Sequence, residues 1–236
     1  MPTTIAITPS GKRTRPSASG STPVGKKSKT RSLNVSRNMV KIGQVFPKTI
    51  RTVLRYVESG SLTVAASSYN QIFYKCNGLY DPLDSIGGHQ PYGFDQYTAI
   101  YNHYKVFKSR VIVQWHVSTG ARHEGLITGV NITPGSSDSD TPQTKMEKQD
   151  GRTNYRWISP SGDSTAVTRK SWTPKAYFGI QKEESELSAA VGADPTELSH
   201  YCVWASNPAG AETFVFYTVT VEYYTEFSEP KSLGGS

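Results

Sequence analysis

Apolar and polar residues alternate with a period of two along many short stretches of this chain. The longest run covers residues 213–225, where Val215, Tyr217, Val219, Val221 and Tyr223 share one face and Phe214, Phe216, Thr218, Thr220, Glu222 and Tyr224 the other. That is the pattern of a strand with one side on a core. A second run over 50–57 sets Ile50, Thr52, Leu54 and Tyr56 against Arg51, Val53, Arg55 and Val57. A third sets Ser109, Val111, Val113, Trp115 and Val117 against Lys108, Arg110, Ile112, Gln114 and His116. Extended segments are also predicted over 61–66, 71–76, 124–132, 166–172, 175–180 and 201–205. Ser59-Gly60 predicts a turn between the 50–57 and 61–66 segments, and Thr133-Pro134-Gly135 a break after residue 132. The period changes once. Phe94, Tyr97, Ile100, Tyr101 and Tyr104 recur at spacings of three and four, which predicts an amphipathic helix of about three turns over 94–104.

Two stretches follow neither period. Residues 134–163 are polar and carry Asp138, Asp140, Glu147 and Asp150, and read as a long, solvated, outward-facing loop. Residues 182–198 are acidic and contain alanines, and predict a helical turn ended by Asp194-Pro195. About eight main strands with uneven connections predict an all-β chain, a single eight-stranded jelly-roll β-sandwich with one short helical insertion. An immunoglobulin-like sandwich is the competitor. It does not normally insert an aromatic helix, and Cys76 and Cys202 have no evident role between its sheets.

Charge divides the chain. The 236 residues carry a formal charge of +7, yet Glu58 is the first carboxylate, and twelve lysines and arginines precede it. From Glu58 onward fourteen basic residues face nineteen acidic ones. A cationic arm on a mildly anionic body points to a polyanionic partner for the arm. Residues 1–44, rich in Ser, Thr, Pro and Gly, cannot bury enough surface to offset ordering entropy and are expected to be disordered alone. The expected organisation is a disordered arm over 1–44, a folded domain over 45–228 and a flexible end over 229–236. Two clusters stand out, Lys12, Arg13 and Arg15, then Lys26, Lys27, Lys29 and Arg31. Runs of this kind serve as nuclear import signals and as nucleic-acid patches. With Arg37, Lys41 and the strand arginines Arg51 and Arg55 they form the candidate nucleic-acid-binding set. Serines and threonines among them offer phosphorylation sites that would subtract charge. Aromatic and basic residues also interleave, with Tyr101, Tyr104 and Phe107 beside Lys105, Lys108 and Arg110. Stacking on rings combined with phosphate contacts binds single strands without reading sequence.

Catalytic patterns are missing. His89, His103, His116, His123 and His200 lack ligand spacing, no Gly-x-Ser-x-Gly frames a serine, and Gly87-Gly88 lacks the lysine of a phosphate loop. Neither an enzyme, a cofactor nor a metal is expected. Two distant cysteines predict free, buried thiols. No apolar run approaches a membrane span and no signal-peptide core is evident, so cytosol or nucleus is the expected compartment.

The order Asn77-Gly-Leu-Tyr-Asp-Pro82, Gly87-Gly-His-Gln-Pro91, Gly93-Phe-Asp-Gln96 and a tyrosine-rich stretch ending in Lys105-Val-Phe-Lys-Ser-Arg-Val-Ile-Val113 resembles the capsid proteins of small circular single-stranded DNA viruses, circovirus-like or cyclovirus-like. The resemblance is concentrated in residues 73–115 and extends loosely over the chain. It implies a jelly-roll subunit that self-assembles into a T=1 icosahedral shell around circular single-stranded DNA. It further implies residence in the virion and the host nucleus, a nuclear import receptor, and a host attachment factor that the residues do not identify. The arm departs from the dense arginine tracts of many such tails, because lysines are as common here and serines intervene. The alternative function is a non-viral nucleic-acid-binding β-sandwich with a basic arm.

Overall fold

The 213–225 alternation becomes part of an 18-residue strand that lies between two others in the computed structural model, which describes residues 45–85, 88–117, 125–148, 151–159, 165–179 and 184–232. In chain order the elements are β1 (Thr49–Val64), β2 (Ser68–Lys75), α1 (Phe94–Thr98), β3 (Tyr101–Val117), β4 (Leu126–Thr133), α2 (Pro142–Glu147), β5 (Asn154–Ile158), β6 (Thr165–Trp172), α3 (Pro174–Phe178), α4 (Glu184–Leu187), β7 (Ser188–Ala190), β8 (His200–Asn207) and β9 (Thr213–Pro230). One sheet runs β1-β9-β3-β6, with β7 added against β3, and the other runs β2-β8-β4-β5. Every pairing between strands is antiparallel. Setting aside the three-residue β7, eight strands divide as first, eighth, third and sixth against second, seventh, fourth and fifth. That order is a jelly roll, as the strand pattern predicts.

The core lies between the sheets. Leu54, Tyr56, Leu62 and Val64 of β1, Val111, Val113, Trp115 and Val117 of β3, and Val215, Tyr217, Val219, Val221 and Tyr223 of β9 are all buried and belong to one cluster. Their sequence neighbours point the other way, so the predicted faces of all three strands hold. Both thiols are free and buried, as expected.

Several expectations are corrected. Ser59-Gly60 is no turn, because β1 passes straight through it and pairs with β9 as far as Val64. Gly60 is there for a different reason: a Cβ on it would stand 2.6 Å from the Tyr217 Oη. The 94–104 helix ends at Thr98. Tyr101 and Tyr104 belong to β3, yet with Phe94 and Tyr97 they surround Phe227, ring centroids lying 4.8 to 6.5 Å apart. A bulge between Val106 and Lys108 lets Tyr104 and Val106 before it, and Ser109 and Val111 after it, all face inward. The three-and-four spacing thus reflects one aromatic cluster fed by a short helix and a bulged strand. Ile100 and Tyr97 are only partly buried; Phe94 is the fully buried residue of α1.

Residues 175–180, expected as a strand, begin as α3 instead. Thr173 caps it by accepting from the Ala176 N–H, and Pro174 occupies the first turn. The 182–198 segment holds a helical turn as α4, but it ends at Leu187 and gives way to β7, ahead of the expected stop at Asp194-Pro195. At the C-terminal end β9 continues to Pro230, and the Lys231 N–H donates to the Ile100 carbonyl at 2.7 Å.

The 134–163 segment contains α2 and β5 and is not a free loop. Lys145 of α2 is 1% exposed and turns onto the outer face of the second sheet. Its ammonium donates to Gln71 Oε1 at 2.6 Å, lies 3.3 Å from Asp138 Oδ2 and 3.5 Å from Cys202 Sγ, and stands over the rings of Tyr69 and Trp204. Burial pushes the Cys202 thiol up to about 12, so it stays protonated beside this cation. Trp204 itself lies across Gly129, where a Cβ would come within 2.3 Å of the indole. Gly129→Ala is therefore expected to destabilise the fold by about 1–3 kcal/mol through overpacking. An unaltered thermal midpoint for that variant would show that the indole can move aside.

Candidate nucleic-acid interface

The nine arm residues of the candidate set, Lys12, Arg13, Arg15, Lys26, Lys27, Lys29, Arg31, Arg37 and Lys41, lie outside the described residues. Arg51 and Arg55 are described, and both project from the exposed face of β1. The sheet register shows what stands beside them. Arg51 aligns with Glu226 and Lys105, Val53 with Tyr224 and Lys108, and Arg55 with Glu222, Arg110 and Ser171. One row further, Val57 aligns with Thr220, Ile112 and Arg169. Strands from distant parts of the chain thus bring six cations, Arg51, Arg55, Lys105, Lys108, Arg110 and Arg169, onto one outward face that holds two carboxylates, Glu222 and Glu226.

The carboxylates organise the cations. Arg51 Nε donates to Glu226 at 2.6 Å, while Glu222 accepts from Arg55 at 3.1 Å and sits 2.9 Å from an Arg110 nitrogen. Glu222 is 12% exposed and is clamped between two guanidinium groups that remain 66% and 43% exposed. Such pairs add little to stability at an exposed surface. Their effect is positional: each guanidinium is held in one place with donors left over, since a guanidinium has five N–H groups.

Aromatic rings are set among these charges. Phe107, at the bulge, is 37% exposed, lies 5.3 Å from the Arg51 guanidinium and meets the Tyr224 ring edge-on at 6.4 Å. The Lys108 ammonium stands 5.0 Å from the Tyr224 centroid. A cationic surface interleaved with exposed rings suits single-stranded nucleic acid, whose phosphates meet the cations and whose bases offer π-faces.

Sequence reasoning sorted these residues only in part. Phe107, Lys105, Lys108 and Arg110 do share the face with Arg51 and Arg55. Tyr101 and Tyr104 do not. Both are buried, and the Tyr104 hydroxyl donates to the Ala193 carbonyl while accepting from the Leu79 N–H. Burial holds the Tyr104 phenol well above its ordinary range. Tyr224 and Arg169 were missed, although both occupy polar-face positions of predicted strands. Among the histidines, His89 stacks on Tyr56, His103 lies 3.0 Å from Glu229, His116 is exposed on the outward face and His200 is buried 3.4 Å from Asp84. His123 lies outside the described residues. Among the described residues no three His, Cys, Asp or Glu side chains gather as metal ligands.

No protein-family model matches the sequence, and no curated protein matches it. Similar solved structures include that of Desmodium yellow mottle tymovirus, at 13% identity and a TM-score of 0.42, covering 79% of this chain and 93% of that one. The BFDV capsid protein in its 60-mer form has 12% identity and a TM-score of 0.44, covering 81% of this chain and 100% of that one. The virus-like particle of the giant freshwater prawn Macrobrachium rosenbergii nodavirus has 12% identity and a TM-score of 0.43, again over 81% and 100%.

Proposed function

We propose that this chain is the coat subunit of a small virus with a circular single-stranded DNA genome, its jelly rolls tiling a T=1 icosahedral shell and its arm neutralising the packaged strand. The observation that carries the reading is the continuity of charge. The chain has no carboxylate before Glu58, and where β1 begins, the cations continue onto one face of the first sheet as Arg51 and Arg55, joined there by Lys105, Lys108, Arg110 and Arg169. An arm of about forty residues reaches roughly 130–145 Å when extended, enough to follow nucleic acid away from the folded body. The clusters at Lys12, Arg13 and Arg15 and at Lys26, Lys27, Lys29 and Arg31 serve a second purpose in this reading, recognition by a nuclear import receptor, so that the protein resides in the host nucleus and then in the virion.

Particle size tests the assembly. Sixty copies of a 26.0 kDa chain make a closed particle of about 1.6 MDa. Sedimentation of the purified protein with single-stranded DNA is expected to give such particles, visible as shells by electron microscopy. Species below about ten subunits under all conditions would favour the non-viral nucleic-acid-binding sandwich instead.

A further inference from the structure

The outward face of the first sheet changes character along its strands. Beyond the cationic rows, Ser59 aligns with Thr218 and Gln114, and the next row sets Phe216 beside His116. A groove of about 770 Å³ crosses the four strands of this sheet here, and among the described residues no acidic side chain lines it. We propose that this groove receives an unpaired nucleobase of single-stranded DNA whose backbone runs over the adjoining cationic rows. The proposal rests on the single-stranded DNA reading above and places part of the binding site on the folded body.

The chemistry of the lining fits a base better than other occupants. Phe216 is 45% exposed and presents a ring on which any base can stack. The Gln114 amide offers both a donor and an acceptor to a base edge, and the Ser59 and Thr218 hydroxyls, 2.9 Å apart, add two more groups that can act either way. None of these four carries charge, so they neither attract nor repel phosphate. Attraction comes from the neighbouring rows. Arg169 lies two residues along β6 from Val167, the partner of Gln114, a displacement of about 7 Å, and the Arg55–Glu222–Arg110 row is about 13 Å from Gln114. A strand crossing those guanidinium groups is thus carried directly over the groove. The volume lies within the range of small-molecule sites.

The test uses the full-length protein and a thymidine oligonucleotide carrying one 2-aminopurine, titrated across a salt series and extrapolated to 1 M salt, where the counterion contribution vanishes. Phe216→Ser and Gln114→Ala are the variants, both at exposed positions. Each is expected to weaken binding at 1 M about tenfold with the salt slope unchanged, and Phe216→Ser to abolish the change in 2-aminopurine emission. Arg169→Gln is expected to do the reverse, flattening the slope by about 0.7. Wild-type affinity and emission in both groove variants would overturn the groove assignment while leaving DNA binding intact. If instead the variants bind DNA normally but change particle size, the groove holds a neighbouring copy and the proposal falls. Failure of the wild-type chain to bind at any salt would remove the nucleic-acid reading itself.

Discussion

Deletion of residues 1–41 is expected to flatten the log–log salt dependence of single-stranded DNA binding by several units while leaving the sandwich folded. Nine basic residues lie between Lys12 and Lys41. At about −0.7 per neutralised phosphate they set a limit of roughly −6 on the arm's share of the slope. The effect on affinity is correspondingly large at low salt and shrinks as salt rises. Binding by the arm is also expected to be indifferent to sequence, since phosphate contacts carry no base information. The slope left in the truncated protein measures the sheet face, where Arg51, Arg55 and Arg110 already share Glu226 and Glu222. Fitted affinities for full-length and truncated protein on two unrelated oligonucleotides make the comparison. A truncated protein that kept the whole slope would move the site to the folded body and leave the arm as an import signal.

The second large effect is expected at Lys145. Replacing it with methionine preserves the aliphatic stem but leaves Asp138, 7% exposed, without its cation, and losing one partner of a buried pair costs about 3–5 kcal/mol. The thermal midpoint is expected to fall by roughly 10 °C. Adding Asp138→Asn should recover part of the loss, because no buried charge then stands alone; strictly additive losses would show that the two groups are uncoupled. Acid provides an independent check. Burial opposes ionisation of Asp138, but the Asn131 amide, the Asp140 N–H and the Lys145 ammonium outweigh it and hold its pKa below the ordinary 3.8. A depressed folded pKa stabilises the fold above the ordinary value, and that contribution is lost as the pH falls below about 4. Lys145→Met is expected to show less of this loss than the wild type.

Much of the sandwich is legible in the chain because one face of each long strand is buried without interruption. β9 and the body of β3 show this directly, since every inward position from Ser109 to Val117 and from Val215 to Tyr223 is buried. β5 escaped notice for the opposite reason. It is an edge strand in which Tyr155, Arg156 and Trp157 are successively exposed, and only Ile158 is buried, so no alternation marks it. Gly60 misled because glycine punctuates turns and also permits close approach, and only the position of Tyr217 distinguishes the two. The 94–104 helix misled because Phe94 and Tyr97 of a short helix and Tyr101 and Tyr104 of the following strand converge on one ring, Phe227, so that a spacing crossing two elements imitates a single helix. The candidate interface was the least legible part. Arg55 and Glu222 are 167 residues apart, and nothing local announces that they meet, or that Arg110 joins them. Arg169 and Tyr224 become neighbours of that cluster only once the strand register is known.

The position of β9 has a consequence for how the protein reaches its native state. The last strand in sequence is hydrogen-bonded to the first on one side and to the third on the other, pairing with β1 over all sixteen of its residues. Until β9 arrives, β1 and β3 have no common neighbour, and the hydrogen-bonding edge that each presents to it remains unpaired. Such long-range pairing makes for slow folding, because loop-closure entropy is spent before the contacts that offset it can form. A nascent or partly unfolded chain therefore exposes long, unpaired strand edges, and its yield of soluble subunits is expected to depend on chaperones and to fall steeply with concentration during refolding.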